Sequence, residues 1–134
     1  MIKLILVSHG SFAAGLREAA EMILGEQEDL SVFGIFPGDT LENFSAKIER
    51  AIQAYGKPEE TLILSDLPCG TPSNAAAMMA MKHQVHAISG CNLPLLIEVL
   101  SMREEAGIEE VVPKACEEGR KGIIDVKELM KEGR

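Results

Sequence analysis

A chain of 134 residues suits one domain built around one real core. Apolar residues make up 46% and charged residues 25%, the balance of an ordinary soluble globular protein, while aromatics reach only 4%. The net charge of −8 leaves no basic stripe for nucleic acid, and so few rings argue against stacking on bases or sugars; an acidic surface rather suits a basic protein partner. Cys69, Cys91 and Cys116 are odd in number and widely spaced, so neither a disulfide framework nor a zinc site is indicated. A reducing cytoplasm is the natural compartment. The first apolar run lacks a basic segment before it and is too short for a signal peptide or a membrane span, so any membrane association should come through a partner.

In chain order, Ile2 to Val7 is apolar and β-branched and reads as a buried strand ending near Val7 or Ser8. It stops at Ser8-His9-Gly10-Ser11, and a helix should begin at Phe12, with Phe12, Leu16, Ala19, Ala20, Ile23 and Leu24 on one face and Gly25 as its stop. Leu30 to Phe36 reads as a second strand, ended by Pro37-Gly38. Asp39 with Glu42 fits a capping arrangement for a second helix, whose buried stripe is Leu41, Phe44, Ile48, Ala51, Ile52 and Tyr55. Thr61 to Leu64 is a third strand, and Pro72 is well placed to open a third helix running to about His83. Val85 to Ser89 is a fourth strand, and Pro94 again marks a helix start, with Leu95, Leu96, Val99, Leu100 and Arg103 continuing it. Ile108 to Gly119 reads as a fifth helix; Pro113 would clash beyond its first turn, which favours a start near Glu110. Ile123 to Val126 reads as one last short strand, followed by a frayed polar tail.

This alternation predicts an α/β domain covering residues 1–134: an open, mostly parallel sheet with helices on both faces and the first strand inside it. Strand-end loops of a parallel sheet emerge on one edge, so Ser8 to Ser11, Asp66 to Ser73 and Gly90 to Pro94 should meet over one crevice. Each loop alone could be no more than a tight turn. Together they gather His9, Asp66, Thr71, Ser73 and Asn92. His9 offers a neutral nucleophile near neutral pH, Gly10 keeps its surroundings open, and Asp66 could fix its tautomer and stabilise positive charge on the ring. The N–H groups at the start of the helix after Ser11 could hold an anion. Thr71 and Ser73 fit two roles, capping the third helix or, together with that helix's N-terminal N–H groups, holding phosphoryl oxygens, with Thr71 the stronger candidate for the second. His83 and His86 lie away from this edge and read as structural. Met78, Met79 and Met81 read as core or subunit packing, and Cys69 as a bystander. No metal cluster and no cofactor is indicated.

These residues resemble the enzyme IIA domains of the mannose/fructose class in the phosphoenolpyruvate-dependent sugar phosphotransferase system. The resemblance rests on an ordered set: Ser8-His9-Gly10, Gly25-Glu26-Gln27, Pro37-Gly38, Gly70-Thr71-Pro72-Ser73-Asn74-Ala75-Ala76, Gly90-Cys91-Asn92-Leu93-Pro94 and Glu118-Gly119-Arg120. It implies that His9 takes a phosphoryl group from the histidine phosphocarrier protein and passes it to a IIB component. Asp66 would hydrogen-bond the active histidine, and Gly10, Ser11, Thr71 and Ser73 would surround the phosphoryl group. It implies a homodimer as well, with Ile123 to Val126 exchanged into the partner's sheet. Leu67-Pro68-Cys69 departs from the Thr-Trp-Gly sequence of some members, and no Ala/Pro-rich linker to a fused IIB domain is seen, so a free-standing IIA subunit is expected. Two alternatives share a strand-end histidine or the fold: the phosphoryl donor to dihydroxyacetone kinase, and small tetrapyrrole metal chelatases. The Gly-Thr-Pro-Ser-Asn loop favours the sugar-transport branch, and a chelatase would need a second histidine facing His9.

Overall fold

The computed structural model describes residues 1–133. Four strands form one all-parallel sheet in the order β2-β1-β3-β4: β1 Lys3–His9, β2 Leu30–Ile35, β3 Thr61–Ser65 and β4 His86–Ser89. β1 lies inside the sheet, as its apolar run predicts. Its alternate side chains enter different cores: Ile2, Leu4 and Leu6 face α1 (Phe12–Leu24), α4 (Leu93–Met102) and α5 (Ile108–Lys121). Ile5 and Val7 face α2 (Leu41–Tyr55) and α3 (Thr71–His83). The helices thus cover both faces.

The strand order changes direction between β1 and β3, and in open α/β sheets ligands bind beyond the strand ends at such a switch point. β1 runs as far as His9, whose backbone is in register with Ile35 of β2. Gly10 follows with φ +52°, and its N–H donates to the Ile35 carbonyl at 2.8 Å. The turn is packed from below by Gly34. A Cβ there would lie 2.1 Å from the Gly10 carbonyl oxygen, so only glycine fits.

Several local expectations change. On α1 the buried residues are Ala13 and Ala20, while Phe12, Ile23 and Leu24 are exposed. Periodicity marks an apolar stripe but not how far the underlying elements reach. Thr40, not Asp39, caps α2 by accepting from Asn43 N–H at 3.1 Å; Asp39 reaches back to Phe36 N–H instead, at 2.8 Å. α3 begins at Thr71, so Pro72 is its second residue. α5 begins at Ile108 and carries Pro113 within it. Met79 is core, whereas Met78 and Met81 are exposed.

The C-terminal segment has no strand partner inside one chain. No strand forms at Ile123 to Val126, and the tail is not frayed through Lys131: Val126–Lys131 is a sixth helix, α6. Asp125 accepts from Glu128 N–H at 3.1 Å and caps it. A strand needs an adjacent ladder to satisfy its backbone, whereas a capped helical turn satisfies its own. Within this single chain the segment leaves Ile123 81% and Val126 67% exposed.

Candidate functional site

His9 and Asp66 meet at the switch point, at the ends of adjacent strands β1 and β3. One oxygen of Asp66, Oδ2, accepts from the His9 backbone N–H and pairs with His9 Nδ1, both at 2.9 Å. The other oxygen, Oδ1, accepts from Leu67 N–H at 2.9 Å. The Asp66 side chain is only 10% exposed, while that of His9 is 51% exposed. Burial alone would raise the Asp66 carboxyl. The hydrogen bonds from the His9 backbone, the His9 ring and Leu67 outweigh it and hold the group below its ordinary value, ionised. An ionised carboxylate only accepts, so Nδ1 carries the ring proton. In the neutral ring Nε2 then keeps the free lone pair.

Gly70 lies against that nitrogen. A Cβ on Gly70 would stand 3.1 Å from Nε2 and 3.0 Å from Cε1. Gly70 is also the N-cap of α3, with φ +93° and no side-chain cap. The first turn of α3 therefore opens beside Nε2, with N–H groups at Thr71 and Ser73 that have no helical acceptor. The start of α1 is the other helix end at this edge that could hold an anion. There, however, Ala13 N–H is already taken by the buried Ser8 hydroxyl at 2.8 Å. His9, Phe12, Asp66 and Leu67 line a shallow cavity of about 340 Å³. A half-exposed nucleophilic nitrogen, a tautomer fixed from behind and a helix end in front together suit transfer of an anionic group.

The chain matches, over residues 3–116, the family described as the fructose IIA component of the phosphotransferase system. It belongs to the mannose/fructose class of IIA components. It is 35% identical over 113 residues to the fructose-specific EIIA component of Bacillus subtilis, covering 84% of this chain and 77% of that protein. Identity to the mannose-specific EIIAB component of Escherichia coli is 33% over 128 residues, covering 94% of this chain but only 40% of that longer protein. A crystal structure of a phosphotransferase component EIIA from Streptococcus agalactiae superposes with a TM-score of 0.88 at 28% identity, covering 95% of this chain and 98% of that one.

The remaining candidate site residues of this IIA component are distributed as follows. Gly10 forms the turn after His9, and Ser11 is the N-cap of α1, exposed and with no capping bond from its hydroxyl. Thr71 does not cap α3, and no hydrogen bond of its hydroxyl forms among the described residues. Ser73 does not cap α3 either; its Oγ lies 3.2 Å from Ser89 Oγ. The third loop supports the other two and does not line the His9 cavity: Gly90 and Cys91 N–H both donate to Ser65 O, at 3.0 and 2.9 Å. Asn92 caps α4 through Leu95 N–H and donates to Gly119 O.

His83 and His86 stand apart, as expected: His83 Nε2 pairs with Glu49 of α2 at 2.5 Å, and His86 opens β4 at the opposite end of the sheet. Cys69 is exposed in the site loop, whereas burial pushes the Cys91 thiol up to about 12. Sequence reasoning missed Ser8, Gly34 and the contact of Gly70 with the ring. A glycine inside the β2 run was the one available signal for the second.

Proposed function

We propose that His9 is a transient phosphoryl carrier. Neutral Nε2 attacks the phosphohistidine of the histidine phosphocarrier protein in line. A new N–P bond forms at Nε2 while the donor's N–P bond breaks, and that electron pair returns to the donor's imidazole. The second step, to a IIB component, reverses the roles. The observation that carries this reading is the Asp66 contact with Nδ1, because it leaves Nε2 as the lone-pair nitrogen and stabilises the positive charge that grows on the ring. The first-turn N–H groups of α3 and the Thr71 hydroxyl face the incoming oxygens, with Gly10 and Ser11 at the opposite rim. Such transfer depends chiefly on positioning and electrostatics, which is what these groups supply.

Several relatives are named as fructose, mannose or sorbose components, which favours sugar uptake over donation to dihydroxyacetone kinase. The net charge of −8 suits a basic phosphocarrier docking around the exposed Phe12 and Leu67. The exposed Ile123, Ile124 and Val126 support a homodimer in which this segment pairs along the partner's β4 edge.

The test is incubation with phosphoenolpyruvate, enzyme I and the phosphocarrier. Wild type gains one acid-labile, base-stable phosphate, and His9→Ala gains none. Label persisting on the alanine variant refutes the assignment. For the dimer, sedimentation velocity should give twice the chain mass, and a chain ending at Gly122 should fall to a monomer; an unchanged mass after truncation removes the segment from the interface.

A further inference from the structure

Behind the site lies a row of hydroxyls. Ser65 and Ser89 are register partners at the ends of β3 and β4, and both point to the face covered by α3. Ser65 Oγ is 2.7 Å from Ser89 Oγ, and Ser89 Oγ is 3.2 Å from Ser73 Oγ in the first turn of α3. Ser65 also donates to the Leu67 carbonyl at 3.3 Å. A carbonyl can only accept, and each hydroxyl has one proton. The direction of the chain is therefore set: Ser73 donates to Ser89, Ser89 to Ser65, and Ser65 to Leu67 O. Ser73 has no proton left for a phosphoryl oxygen while the row holds.

The ends of the row matter. Ser65 immediately precedes Asp66, which holds Nδ1, and Leu67 lines the His9 cavity. Ser73 belongs to the turn that begins at Gly70, which rests on Nε2. We propose that Ser89 is a positioning residue for phosphoryl transfer: through Ser65 and Ser73 it fixes the first turn of α3 relative to Asp66, so that Gly70 stays seated against Nε2. Ser89 is exposed at the end of β4 and does not line the His9 cavity. Its loss loosens the geometry of transfer without weakening the encounter with a partner. This assignment rests on the phosphoryl-carrier reading of His9.

The test measures transfer from the phosphorylated phosphocarrier to wild type, Ser89→Ala, Ser89→Thr, Ser73→Ala and the double alanine variant, with thermal melts to check folding. Losing one neutral hydrogen bond should lower kcat about fivefold in Ser89→Ala, with KM unchanged. Threonine keeps the hydroxyl and should restore most of the rate. Because the row acts as a unit, Ser73→Ala and the double variant should each match Ser89→Ala. A loss carried by KM, a threonine variant as slow as alanine, or an unchanged kcat in Ser89→Ala overturns the proposal. So does an additive double variant, which would mean that Ser73 contacts the phosphoryl group directly. If wild type itself takes no phosphate, the carrier reading fails and this one falls with it; if wild type is phosphorylated normally, any of the other outcomes removes Ser89 alone.

Discussion

Replacing Gly34 by alanine should damage the site from a strand that carries none of its chemistry. The added Cβ would stand 2.1 Å from the Gly10 carbonyl oxygen. Ordinary carbon–oxygen contact needs about 1 Å more. The Cβ is fixed by the Gly34 backbone and the oxygen is itself backbone, so no side chain can rotate away, and Gly10 must retreat by about that distance. Its N–H bond to Ile35 O at 2.8 Å is lost or stretched, at a cost of about 1–3 kcal/mol. In a chain of this size that lowers the melting temperature by about 4–12 °C. The displaced peptide follows His9 directly, and a misplacement of about 1 Å at a reacting group can cost on the order of a hundredfold in rate.

Gly15→Ala is the matched control. Its Cβ would meet nothing within 4 Å, and the residue sits inside α1, so alanine should stabilise by about 0.5–1 kcal/mol and leave transfer unchanged. Thermal melts and phosphoryl uptake from the phosphocarrier read both variants. Gly34→Ala melting and transferring like wild type would refute the argument that glycine is demanded there by contact.

Asp66→Asn exchanges charge-assisted hydrogen bonds to His9 for neutral ones and should slow transfer about 10–100-fold with the fold retained; kinetics equal to wild type would remove Asp66 from its role. Because its folded carboxyl is held below the ordinary value, Asp66 stabilises the fold above the unfolded carboxylate range and loses that contribution as pH falls through the folded value. The stability gap between wild type and Asp66→Asn, measured by denaturant titration, should therefore narrow below about pH 4. Arg103 is 2% exposed and donates to the carbonyls of Ile2, Glu28 and Asp29 and to Gln27 Oε1. Arg103→Met should cost about 3–5 kcal/mol in stability by leaving those carbonyls unpaired, yet leave kcat intact in the folded fraction, since they lie at the far end of β1 from His9. A thiol reagent should modify exposed Cys69 in the native protein and Cys91 only on unfolding; prompt reaction at both would contradict the burial that raises the Cys91 thiol.

The sequence alone determined the class of fold and the edge on which the site lies. Short apolar runs such as Leu4 to Val7 read as strands buried on both faces, and their alternation with amphipathic helices points to a parallel sheet whose loops emerge together. That much follows from local periodicity, and so does the proximity expected of His9 and Asp66. Tertiary structure decided what depends on how separate segments meet. It decided that the helix end at Gly70 faces Nε2 while the start of α1 is occupied by Ser8, and that Ser73 is bound to Ser89 and does not cap α3. It decided that Gly34 must be small, because the atom it would strike lies 24 residues earlier in the chain, at Gly10. Ile123 to Val126 is not a strand within one chain for the same reason. Strand propensity is a property of a residue, but a strand exists only where a neighbouring ladder accepts its hydrogen bonds, and this chain offers that segment none of its own.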